Sequence, residues 1–282
     1  MTDEHILPLS LGGGHVIADA SCLACADITK RFEQDVAREL WGDARVSYNA
    51  PSRRKKQRRT HILLRDPNNP VRTVKVPYSD YPAPMMFYRM GPAGLLQGLP
   101  ASLDISGAWK LEALSDHEKN LAFEAKYGIK LTARFRHVPE SFARLLAKIG
   151  YGQVLTSLDP NDFRPICVPY ILGQRGNVSY IVGGKLTPDQ PDPGLGYVMK
   201  TAAFGMRDRL MLIAELRLYA NNHVPTYHVV VGDVVGTDKV ATVLKKLGVI
   251  DVPVLSPLAV PAIEQDHWMP TCWPLPFWNR QG

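Results

Sequence analysis

Residues Glu4-His5-Ile6-Leu7-Pro8-Leu9-Ser10-Leu11-Gly12-Gly13-Gly14, followed by Cys22-Leu23-Ala24-Cys25, decide how the first part of this chain is read. An acid and a histidine stand side by side, and neighbouring strand residues point to opposite faces. The two can address a common point only if the chain bends sharply after them, and Pro8 with Gly12, Gly13 and Gly14 supplies such a bend. Beyond the Cys-x-x-Cys pair, Cys25, Ile28, Phe32, Val36 and Leu40 recur at helical spacing, and Gly42 is expected to stop that helix.

Order and spacing of these residues resemble the opening of an HNH nuclease. The resemblance implies a small ββα-metal domain over 1–45, with its helix over 26–40. It implies metal-dependent hydrolysis of DNA phosphodiesters, with His5 as general base and Glu4 holding Mg2+ or another divalent cation. The family usually places an asparagine or histidine after the second cysteine as a further metal ligand. Here that position is Ala26, which binds no metal, so Asp27 or Thr29 on the same helix is the expected substitute. The pattern Cys22-x-x-Cys25-Ala26-x-Ile28-Thr29-x-x-Phe32-Glu33 is similar to a variant among uncharacterised bacterial HNH-like proteins. Many HNH domains complete a tetrahedral structural zinc with two Cys-x-x-Cys pairs. Only Cys22 and Cys25 are present in this module, while Cys167 and Cys272 stand alone, so zinc is expected at well below one per chain. The opposing reading is a nucleic-acid-binding protein whose nuclease site has lapsed with Ala26.

At 282 residues and 45% hydrophobic composition the chain can bury a substantial core. No stretch approaches a membrane span and the start carries no apolar leader, so a cytoplasmic protein without a membrane partner is expected. Four cysteines without even spacing agree with a reducing compartment. Seven of the cations, Arg45, Arg53, Arg54, Lys55, Lys56, Arg58 and Arg59, lie between residues 45 and 60 with no acid among the last six of them, whereas the whole chain carries only +6. The connector over 46–60 is therefore expected to bind DNA phosphates through Arg53, Arg54, Lys55, Lys56, Arg58 and Arg59. A solvated linker is the alternative.

The remainder reads as a larger α+β domain over 61–236, of unassigned role. Strands at 61–65 and 71–76 flank the turn-rich Asp66-Pro67-Asn68-Asn69-Pro70, and further strands are expected at 85–90 and 108–114. Ser115 and Glu118 suggest a capping box for a helix ending at Gly128, and a second helix from Pro139 buries Phe142, Leu145, Leu146 and Ile149. Strands follow at 180–182, 210–219 and 226–231. A last segment, 237–282, combines a short helix at 239–247 with a Pro-rich tail bearing Trp268, Trp273, Phe277 and Trp278. Gly183-Gly184-Lys185 lacks the rest of a phosphate loop, and the scattered histidines of this region suggest no second site.

Overall fold

The computed structural model describes residues 1–47, 50, 56, 58–131, 133–206 and 208–248. The fold is mixed α+β with antiparallel strands, and the chain divides into two compact units. The first takes Met1–Tyr88 and Leu111–Leu145; the second takes Arg89–Lys110 and Leu146–Gly282. No helix among the described residues is long and apolar enough to cross a membrane. The tail from 249 onward lies outside the described residues.

In the first unit, β1 (Thr2–His5) pairs antiparallel with β2 (Val16–Ser21), and α1 (Leu23–Gln34) follows at once. The expected continuous helix to Leu40 is interrupted. Residues Asp35–Leu40 form a π-helical turn, in which the Trp41 N–H reaches back to the Val36 carbonyl. Gly42 does not end the helical segment either, because it opens α2 (Gly42–Ser47). The reason is packing. One extra residue in the turn swings Trp41 inward, where its indole N–H donates to the Met86 carbonyl at 2.6 Å and its ring meets Phe87 and the edge of Phe142. Trp41, Ala44, Phe87 and Phe142 are all buried and fall within the same unit.

The hairpin of β3 (His61–Asp66) and β4 (Asn69–Pro77) forms around the turn read from the sequence. On β3 the alternation is clean, with Ile62 and Leu64 inward and His61, Leu63 and Arg65 outward, whereas β4 is exposed over Asn69–Thr73 and turns Val76 inward beside outward Lys75. A second pair joins β5 (Met85–Arg89) to β6 (Lys110–Leu114). Helix α3 (His117–Tyr127) is capped by Asp116 rather than Ser115, since the Asp116 carboxylate accepts from the Lys119 N–H at 3.1 Å, and Gly128 ends it in the left-handed region. Helix α4 (Pro139–Val154) begins in the first unit and ends in the second.

The second unit is built on an antiparallel sheet. Its strands are β7 (Arg164–Pro165), β8 (Val182–Gly184), β9 (Tyr197–Met206), β10 (Arg209–Leu218) and β11 (Tyr227–Val235). The order is β7-β11-β10-β9, with β8 also on β11. Between β7 and β8 lies α5 (Val168–Ile171), and α6 (Thr237–Lys246) follows β11. The boundary expected at 236 does not coincide with the division of the chain, because α6 packs back on β10 and β11. Gly150 of α4 brings the helix against the sheet, where a Cβ would lie 3.0 Å from Val229 and 3.1 Å from Ala214. Strand β9 escapes the sequence reading, because Lys200, Ala202, Ala203 and Gly205 weaken its β signal.

Candidate functional site

Glu4 and His5 end β1, facing Ile17 and Val16 across the hairpin. The loop that follows is a tight clasp. Ile6 donates to the His15 carbonyl at 3.1 Å, and Leu11 and Gly13 both donate to the Pro8 carbonyl. Gly12 sits at φ +92°, and a Cβ on Gly13 would lie 1.9 Å from the Leu7 carbonyl oxygen, so the two glycines serve different geometric needs. Ile6 and Leu7 are buried beneath this clasp. Arg45, the first cation of the basic run, fixes the clasp: it donates to the Ser10 carbonyl and to the Ala37 carbonyl, each at 2.9 Å.

Glu4 and His5 are both half-buried. His5 Nδ1 is shielded from solvent. Helix α1 contacts β1. On α1, Asp27 is exposed, Ala26 is half-buried, and Thr29 is buried with its hydroxyl donating to the Ala26 carbonyl at 3.1 Å. Thr29 is thus engaged with the helix backbone, and Asp27 is an exposed carboxylate of α1. Among the described residues no three His, Cys, Asp or Glu side chains gather around one point. The chemistry of Glu4 and Asp27 suits a hard cation, and Mg2+ is commonly held by one or two carboxylates with water and substrate phosphate completing its shell.

Cys22 caps α1, its sulfur accepting the Cys25 N–H at 3.3 Å. A hydrogen bond from Cys25 lowers the Cys22 thiol pKa, and the same interaction raises that of Cys25. Cys167 belongs to the second unit, where burial pushes its thiol far up. Cys272 lies outside the described residues. Of the basic connector, Arg53, Arg54 and Lys55 also lie outside them. Lys56 and Arg59 are exposed, whereas Arg58 is half-buried and donates to the Ala50 carbonyl.

In the second unit a cavity of about 370 Å³ is lined by Asp162, Arg164, Arg209, Asp233 and Lys239, among others. Both of its acids are paired: Arg164 takes both oxygens of buried Asp233, at 2.8 and 2.6 Å, and Lys246 holds Asp162. His228 is buried in this unit as a hydrogen-bonded core residue, with Nε2 accepting from the Ala93 N–H at 3.0 Å. Comparison of the chain with family models, with curated proteins and with solved structures finds no match.

Proposed function

We propose that this chain is an endonuclease that hydrolyses DNA phosphodiester bonds at the ββα unit formed by β1, β2 and α1. The observation that carries the reading is the placement of Glu4 and His5 at the end of β1, ahead of the rigid clasp over residues 6–15 and in a unit closed by the Cys22-capped helix. His5 takes the proton from the attacking water. The buried backs of Ile6 and Leu7, with Arg45 on the Ser10 carbonyl, hold the strand end in place while that proton moves. Glu4 and Asp27 are the residues that would hold a divalent cation, which supplies neutralisation of the charge developing on the departing oxygen. Lys56 and Arg59 attract the phosphate backbone.

A second reading, nucleic-acid binding without cleavage, is favoured by two observations on α1. Ala26 offers no ligand, and the Thr29 hydroxyl is engaged with the Ala26 carbonyl. One experiment separates the readings. Supercoiled plasmid is incubated with the purified protein and Mg2+ or Mn2+, and nicking is followed on gels. The expected result is nicking that falls by roughly two orders of magnitude in His5→Ala, the loss typical of a missing general base. Undiminished cutting by His5→Ala removes His5 from the reaction. An inactive wild-type protein that cuts only as Ala26→Asn establishes the binding-only reading.

A further inference from the structure

Hairpin β3–β4 buries one face and leaves the other open, and the open face is cationic. Ile62, Leu64 and Val76 are turned inward at 2% exposure or less, so His61, Leu63 and Arg65 on β3 and their cross-strand neighbours Pro77, Lys75 and Thr73 share the outward face. Leu63 stands opposite Lys75 and Arg65 opposite Thr73, which makes Arg65 and Lys75 diagonal neighbours about 7–8 Å apart at the backbone. Neither makes an ion pair among the described residues, and the same holds for Lys56 and Arg59, just before the hairpin in the chain. The sole acid of the two strands, Asp66, is buried and already answered by Arg72 at 3.2 Å. Two like charges held on one stiff ribbon repel each other unless an anion lies across them.

We propose that the outward face of β3–β4 is a docking surface for the phosphate backbone of duplex DNA, with Arg65 and Lys75 each meeting a phosphate. The inference rests on the nucleic-acid reading given above and extends it from the connector to a folded, rigid surface. A polyanion satisfies the charge. A two-stranded ribbon has dimensions compatible with lying along or in a major groove, and exposed Leu63 and Val71 can meet sugars or base edges there. Phosphate contacts of this kind position the duplex without reading its sequence.

The test uses the full chain and two fluorescent duplexes of unrelated sequence, with binding measured from low to moderate salt. In the Arg65→Gln/Lys75→Gln variant the slope of log affinity against log salt is expected to flatten by about two units, equally for both duplexes. The charge-keeping Arg65→Lys/Lys75→Arg variant should retain the slope, which separates lost charge from lost folding. Arg72→Gln, whose charge is already spent on Asp66, should change it less. If wild type binds but the double Gln variant keeps its slope, the ribbon proposal falls while the nucleic-acid reading stands. If wild type binds neither duplex, both fall. Binding of phosphatidylserine vesicles that depends on Arg65 and Lys75, with unaltered DNA binding, assigns the face to a lipid surface and overturns the proposal.

Discussion

A methyl group on Gly13 would collide with the Leu7 carbonyl oxygen, and that oxygen belongs to the backbone, so no side-chain rotation relieves the contact. Gly14, one residue on, has nothing within 4 Å of a Cβ and no left-handed φ. Gly13→Ala should therefore cost about 2 kcal/mol or more, through strain imposed on the clasp, whereas Gly14→Ala should lie within about 0.5 kcal/mol of wild type. Urea denaturation of the two variants checks this, and equal midpoints would show that the clasp yields easily. The glycines were legible as a turn, but their division of labour was not. Which of three neighbours meets the Leu7 carbonyl depends on how the chain folds back, through the paired bonds to the Pro8 carbonyl. Similarly Arg45 counted as one positive charge in a basic run until its contacts with the Ser10 and Ala37 carbonyls showed it fastening the loop to the helical segment.

Among elements, the π-helical turn at Asp35–Leu40 sets the course of the chain into Trp41. It places Trp41, which is fully buried, between Phe87 and Phe142, with the indole N–H on the Met86 carbonyl. Trp41→Ala is expected to cost about 3–5 kcal/mol, as large-to-small replacements of buried aromatics do. Trp41→Phe should retain most of the packing yet leave the Met86 carbonyl without its donor, a loss of about 1–3 kcal/mol. Equilibrium denaturation orders the three proteins. A Trp41→Phe variant as unstable as Trp41→Ala would mean that the hydrogen bond, not the ring, dominates. The heptad-like run of Cys25, Ile28, Phe32, Val36 and Leu40 had suggested an uninterrupted helix. The single-residue bulge preserves the buried side of that run while turning the next residue inward, which periodicity alone does not reveal.

For the whole molecule, pH sensitivity comes in part from the second unit's sheet. His228 lies on β11 opposite Glu215 of β10, which itself stands opposite Lys200 of β9. Burial lowers the His228 pKa from 6.5 to about 3, and burial raises that of Glu215. Between pH 6.5 and 3 the unfolded chain takes up a proton at His228 that the folded chain refuses, so stability falls as pH drops through that window. Its slope approaches about 1.4 kcal/mol per pH unit for one proton, and above pH 6.5 the contribution is flat. Glu215 acts in the opposite sense, because its folded form holds a proton more tightly than the unfolded chain does. Comparison with His228→Gln, which keeps an acceptor for the Ala93 N–H but carries no titrating ring, isolates the histidine. The variant should lose stability less steeply than wild type between pH 6.5 and 4.5 in denaturant melts; parallel curves would mean that His228 gains its proton without leaving the fold.

Local signals carried the bend after His5, the helical run from Cys25, the hairpin about Asp66–Pro70, the helix from Pro139 and the α+β class. Each depends on interactions between residues close in sequence: turn formers, caps and apolar periodicity. Tertiary structure alone decided that residues 1–45 share a core with Phe87 and Phe142, that β9 pairs along β10, and that Thr29 turns its hydroxyl onto its own helix. It also decided which cations remain available. Charge is written in the sequence, but whether an arginine meets a carbonyl, as Arg45 does, or a carboxylate, as Arg72 does, or stands exposed without an ion pair among the described residues, as Arg65 does, depends on partners that folding brings from elsewhere in the chain.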